Sequence, residues 1–164
     1  MNIFNKLRSV RYGFGIKSNV GKYSKIIKEK NSNFVHGNVQ IREQFMLIIR
    51  KESSMFIGNN LFCNKNVNIT CQKNIHIGDN VIIGPNVVIV DHNHDYKAEN
   101  MAKSFVAKDV YIGNNVWIGA NVTILPGAYI DDGAVIGANS VVNKVVGKDE
   151  IWGGNPAKFI KNRR

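Results

Sequence analysis

Cysteine, proline and tryptophan are all scarce in these 164 residues, with two, three and two copies. Two cysteines make no disulfide framework. Cys63 and Cys71 sit in repetitive sequence without metal-ligand spacing, so both are expected to be reduced and structural. Also missing is any apolar run near the roughly 20 residues that a membrane-spanning helix needs. The first residues carry Lys6, Arg8 and Arg11, but no long apolar segment follows. A secretory signal is therefore not indicated, and a cytoplasmic protein is expected. Hydrophobic residues at 44% and charged residues at 21% suit a folded, soluble chain rather than a disordered one.

Acid is the other shortage. Lysine and arginine number 22 against 12 acids, a net charge of +10. The excess lies at the two ends. Residues 1–30 hold eight basic residues and one acid, residues 157–164 hold four basic and none, and residues 31–156 hold ten basic against eleven acidic. No nucleic-acid-binding motif or set of stacking aromatics accompanies this charge, so nucleic acid is not an expected partner. The uses left open are an anionic glycan, the phosphates of a nucleotide cofactor, peripheral contact with an anionic membrane at its inner face, or plain solubility.

What the chain has in abundance is a repeat. Isoleucines stand six apart at Ile77 and Ile83 and again at Ile112, Ile118, Ile124, Ile130 and Ile136. Ile57 and Cys63 precede them at the same spacing, and glycine follows at Gly58, Gly78, Gly84, Gly113, Gly119 and Gly137. The fourth place of nine clean hexads is Asn60, Asn66, Asn80, Asn86, Asn115, Asn121, Gly127, Gly133 and Asn139. Only asparagine and glycine occur there, the residues that tolerate a left-handed backbone at least cost. A turn every six residues fits neither the 3.6 period of a helix nor the roughly 8–12 of a hairpin meander. Short strands bent at such corners make a flat-sided coil, and stacked coils place each aliphatic first position above the last. The fold class expected is an all-β solenoid.

Two breaks interrupt the phase. Ile69 to Ile77 is eight residues, so two are inserted around Cys71–Asn74. Ile89 to Ile112 is twenty-three, so an extended loop at about 95–109 must leave the solenoid, and loops of this kind commonly carry function. Three segments follow: a basic N-terminal segment, 1–33, in which Ile3, Phe4, Leu7 and Val10 have helical spacing; the solenoid, 34–154, with an irregular first coil; and a basic C-terminal helix, 155–164. Asn155-Pro156 reads as the cap and first position of that helix.

The run Ile112-Gly-Asn-Asn-Val-Trp-Ile-Gly-Ala-Asn-Val-Thr-Ile-Leu-Pro-Gly127, with Gly153-Gly154-Asn155-Pro156-Ala157 after it, resembles the hexapeptide-repeat acyltransferases. It is most similar to the galactoside and maltose acetyltransferases and the polysaccharide O-acetyltransferases, over about residues 57–161. The resemblance implies a left-handed parallel β-helix, acetyl-CoA as cosubstrate, a sugar or glycan acceptor, no metal, and a homotrimer with active sites between subunits. On its register the catalytic histidine falls on His94 in Asp91-His-Asn-His-Asp95. The acceptor-contacting asparagine falls on Asn64, and the acceptor-contacting aspartate is replaced by Gln72. Trp117 matches a cofactor-side tryptophan, Ala120 and Ala138 the backbone contacts to the pantetheine arm, and Asn143, Lys144 and Lys161 the positions near the nucleotide end of CoA. The N-terminal helical segment of the galactoside and maltose enzymes has no match, which points to the glycan-modifying branch and to surface-polysaccharide biosynthesis.

The residues support these roles on their own chemistry. Proton abstraction from a sugar hydroxyl as it attacks a thioester needs a base near neutral pH, which imidazole supplies. His92 is expected to line the site or hold the loop. Asp91, Asp95 or a backbone carbonyl would orient the His94 ring. Trp117 follows a core position and should face outward, against a cofactor arm or a subunit interface. Lys144, Lys148 and Lys161 suit phosphates. The alternatives are an antibiotic or serine O-acetyltransferase, or a zinc lyase of the γ-carbonic-anhydrase kind using His76, His92 and His94.

Overall fold

The computed structural model describes residues 3–164, and Met1 and Asn2 lie outside the described residues. Its corners follow the hexad. All nine fourth-place residues have positive φ, from +56° to +83°. Between corners run strands of two to four residues, stacked into six coils with three parallel faces and a seventh parallel strand on the first face. Face A begins with Asn19–Val20, face B with Lys25–Lys28 and face C with Asn33–His36, and each later coil adds one strand to each face. The fold is a left-handed parallel β-helix.

The aliphatic first places form the core. On face A, Ile41, Cys63, Ile83, Ile118 and Ile136 are register partners. Leu47, Ile69, Ile89, Ile124 and Val142 do the same on face B, and Ile57, Ile77, Ile112, Ile130 and Val146 on face C. All are buried, and each full-size aliphatic side chain contributes about 1.5–3 kcal/mol. The two cysteines are free and buried among them, and burial pushes the Cys71 thiol up to about 12. Outside, side-chain amides join the corners. Between faces A and B, Asn66 donates to Asn86, Asn86 to Asn121 and Asn121 to Asn139, each at 3.0 Å.

Both ends differ from expectation. Residues 155–164 form no helix. Lys158–Asn162 is a strand paired antiparallel with Glu150–Gly153, the last parallel strand of face A. That strand would otherwise end the sheet with a row of unpaired backbone groups, and a short helix with no packing partner is marginal in water. Pairing therefore overrides the cap signal of Asn155-Pro156. Arg163 fixes the returning chain through Nη1 to the Gly133 carbonyl at 2.9 Å. At the other end the coils begin at Asn19, well before residue 34, behind a helix α1 (Ile3–Arg11). Phe14, 1% exposed, covers the open end of the core against Phe34.

The fourth coil is broken where the phase breaks. The chain leaves face B after Val90 and rejoins the solenoid with Val110–Ile112 on face C. The excursion is an antiparallel ribbon rather than an irregular loop: His92–His94 pairs with Phe105–Ala107, with a 3₁₀ turn at Met101–Lys103 between them.

Candidate active site

The two-residue insertion leaves the backbone N–H groups of the corner at 72–74 without a coil directly above them, because the fourth coil departs there. A buried carboxylate takes them up. Asp91 is fully buried. Its Oδ1 accepts from the Gln72 N–H at 2.8 Å, and its Oδ2 from Lys73 at 2.7 Å and Asn74 at 2.9 Å. Buried polar groups need such partners, and here one side chain satisfies three. Asp91 Oδ1 also accepts from His92 Nδ1 at 3.1 Å. The two phase breaks are thus one device, in which the insertion of the third coil is held by the residue that launches the ribbon of the fourth.

His94 is the exposed histidine of the ribbon. Its Nδ1 donates to the Met101 carbonyl at 2.9 Å, and its ring lies against Phe105 with centroids 4.6 Å apart. Of the three orienting groups expected, the backbone carbonyl is the one that acts. Asp91 holds His92, and Asp95 Oδ1 accepts from the Lys97 N–H at 3.0 Å within the loop. A carbonyl can only accept, so the neutral ring carries its proton on Nδ1 and keeps Nε2 as a proton acceptor. The ring lines a cavity of about 670 Å³ with Asn93, Asp95, Tyr96, Lys97, Val106, Lys108 and Pro126. That volume lies in the ordinary range for small-ligand sites, about 300–1,000 Å³.

The other expected site residues fall into two groups. Gln72, His92, His94, Asn143 and Lys144 lie along the corner between faces B and C. Asn143 and Lys144 there stack on Leu125 and Pro126, as the Leu125 N–H to Val142 carbonyl bond of 2.8 Å shows. Asn64, Ala120 and Ala138 lie along the corner between faces A and B, where the Asn139 N–H donates to the Ala120 carbonyl at 2.9 Å. Trp117 is on the outer side of face A and 54% exposed. Register links Trp117 through Val135 and Ile151 to Lys161, so these two share one outward row. Face B separates the two corners by five residues, roughly 16 Å at about 3.3 Å per residue. One chain does not bring His94 to Trp117.

Some site features had no signal in the sequence. The Met101 carbonyl belongs to a residue type that says nothing of its role, and Tyr96, Lys97, Lys108 and Pro126 join the cavity only because the ribbon folds back. His76 is where spacing misleads. It lies one coil's length from His94, yet its ring is stacked on face C between Phe56 and Tyr111, at 4.5 and 4.8 Å, and not in the ribbon. Burial there lowers its pKa. Among the described residues no group of three histidine, cysteine or acidic side chains is placed to hold a metal.

A family model described as bacterial transferase hexapeptide (six repeats) matches residues 109–144. The chain is 38% identical over 117 residues to an Escherichia coli (strain K12) protein named as a lipopolysaccharide biosynthesis O-acetyl transferase, WbbJ, covering 65% of this chain and 60% of that one. Among solved structures, a hexapeptide-repeat acetyltransferase from Vibrio cholerae O1 biovar eltor, complexed with acetyl coenzyme A, superposes with a TM-score of 0.68 at 30% identity, over 96% of this chain and 78% of that one. A maltose O-acetyltransferase from Clostridium difficile 630 superposes with a TM-score of 0.63 at 32% identity, over 87% and 71%. The chain spans 60% or less of the length of the curated relatives it matches.

Proposed function

Because this chain belongs to the hexapeptide-repeat acetyltransferase family, we propose that it moves an acetyl group from acetyl-CoA to a hydroxyl of a sugar in surface-polysaccharide biosynthesis, with His94 as the general base. The observation that carries this reading is the hydrogen bond from His94 Nδ1 to the Met101 carbonyl. It leaves Nε2 as the acceptor in a cavity of ligand size. The names of the Escherichia coli and Clostridium difficile relatives support a sugar-type acceptor.

In the proposed reaction the acceptor hydroxyl gives its proton to His94 Nε2 as its oxygen attacks the thioester carbonyl. The tetrahedral intermediate collapses to the acetyl ester, and the departing thiolate takes the proton back from the imidazolium. No covalent enzyme intermediate is needed. A backbone N–H would stabilise the oxyanion. Asn64, Gln72 and His92 are assigned to the acceptor. Trp117, Ala120 and Ala138 are assigned to the pantetheine arm, and Asn143, Lys144 and Lys161 to the nucleotide end of CoA.

Apart from Trp117 and Lys161 on the outer side of face A, these assignments sit at two corners about 16 Å apart, so the site is complete only where the A–B corner of one copy meets the B–C corner of another. A head-to-tail contact gives a ring where its rotation closes, and three flat faces per coil suit closure as a homotrimer with three sites between subunits. The test is release of CoA thiol by the purified protein on a panel of sugars and antibiotics, with and without His94→Ala. Turnover on a sugar that is abolished in the variant supports the reading. Turnover on antibiotics alone, or on sugars at an undiminished rate in the variant, overturns it.

A further inference from the structure

Helix α1 is docked the wrong way round for a soluble protein. At 3.6 residues per turn, Asn5, Arg8 and Ser9 fall on one side and Ile3, Leu7 and Val10 on the other. A surface helix ordinarily buries its apolar stripe. Here the polar side faces the first coil. Ser9 is fully buried, and Arg8 Nη1 donates to the Val20 carbonyl and to Asn5 Oδ1, both at 3.0 Å. The apolar side faces out, with Ile3 67%, Leu7 62% and Val10 54% exposed. Lys6 and Arg11 flank that stripe on either side. The same end of the molecule exposes Ile16 and Tyr23, at 75% and 80%, and Lys17, Lys22, Lys25 and Lys28. The one acid of residues 3–36, Glu29, is bound to Arg50 at 2.8 Å, and Glu43, which lines one cavity with Asn5 and Lys22, is paired with Lys65 at 3.7 Å.

We propose that this end of the solenoid is a docking surface for an anionic lipid bilayer, with α1 lying in the headgroup plane. An apolar stripe rimmed by cations is the pattern of interfacial helices, which combine shallow burial of aliphatic side chains with attraction to anionic lipid. Tyr23 suits the same depth, since its ring is amphipathic. Charge argues against a second copy as the occupant, because a symmetric contact through the stripe would set Lys6 and Arg11 of one chain against the same cations of its mate. A nine-residue helix buries little area, so the docking is reversible and needs both the apolar and the electrostatic contribution. The His94 ribbon leaves the fourth coil, three strand spacings or about 14 Å from the docked end, which keeps the cavity near the surface without burying it.

Sedimentation of the full chain with vesicles tests this. The protein should pellet with mixed phosphatidylglycerol–phosphatidylcholine vesicles and stay in solution with phosphatidylcholine alone. Raising salt from about 0.1 M to about 1 M, which shortens the Debye length from about 10 Å to about 3 Å, should release it. Leu7→Asp with Val10→Asp should weaken binding about tenfold or more, and Lys6→Gln with Arg11→Gln should weaken it and flatten the salt response. The thermal midpoint should stay unchanged in both, since these side chains touch no core. Absence of binding to anionic vesicles overturns the proposal. So does full binding by the aspartate variant, or a smaller assembly for that variant in light scattering without lipid, which would assign the stripe to a second copy.

Discussion

Two corners of one solenoid show what regularity does and what its loss is for. Along the A–B corner the third residue is Asn66, Asn86, Asn121 or Asn139 in successive coils, and their amides join in one chain of hydrogen bonds. Backbones approach closely there: a Cβ on Gly119 would lie 2.7 Å from the Ala138 nitrogen. Along the B–C corner no such chain exists. It carries a two-residue insertion, a ribbon and Pro126, and it is held at its irregular point by Asp91. The regular corner holds by repetition, so every coil supports the next. The irregular corner must import a specific side chain for the backbone groups that repetition no longer satisfies, and in return it can place a histidine outside the solenoid. The proposed cofactor contacts at Ala120 and Ala138 use the first corner as a flat wall, and the proposed base uses the second.

The sharpest test of this contrast is His94→Ala. Loss of a general base should lower turnover about 10²–10⁴-fold while acetyl-CoA affinity, measured by calorimetry, stays near wild type. His92→Ala should cost less, because His92 is tied to Asp91. A larger loss for His92 would reverse the assignment.

Asp91→Ala comes next. It strands three part-buried backbone donors at once, so unfolding free energy should fall by about 3–5 kcal/mol and the ribbon's amides should lose protection in hydrogen exchange before the rest of the coils. Uniform loss of protection would show that the B–C corner is no weaker than its neighbour. Asn121→Ala breaks the regular corner at one rung. It removes two amide bonds at 3.0 Å and puts a β-carbon residue without a capping amide at φ +58°. A cost of about 1–2 kcal/mol in denaturant melts is expected, with turnover at saturating substrate unchanged.

The smallest effect concerns the outer side of face C. Burial lowers the folded pKa of His76 below its ordinary 6.5, so between the two values the unfolded chain binds more protons than the folded one. Stability is then full above about pH 6.5 and declines as pH falls through the folded value. His76→Phe, which keeps a ring between Phe56 and Tyr111, should flatten the acid side of a plot of thermal midpoint against pH. An unchanged slope would remove His76 as its source.

The sequence and the structure agree best where the hexad is clean. From Ile57 to Ser140 every residue with positive φ is asparagine or glycine, the residues that adopt it at least cost, so these corners, the core columns and the departure of the ribbon were legible. The first coil was hidden and the second was legible only as an irregular one, because Tyr23, Gln44 and Glu52 occupy the same backbone conformation, φ +57°, +60° and +62°. Neighbouring coils hold those residues there against their own preference. The C-terminal strand was hidden for a related reason: Asn155-Pro156 is a local helix signal, and the open edge of face A is a nonlocal demand that outweighs it. Spacing likewise paired His76 with His94, although the excursion takes one histidine off the solenoid and leaves the other on it.

By itself, then, the sequence determined the coil, its phase breaks and the histidine pair that the second break carries, because each rests on a residue's intrinsic backbone and side-chain chemistry. Only tertiary structure decided that the Met101 carbonyl holds His94, that Asp91 belongs to the corner below it, and that α1 turns its apolar side outward. Those are contacts between segments 7 to 19 residues apart, and no local preference encodes which of several donors and acceptors will meet once the coils have stacked.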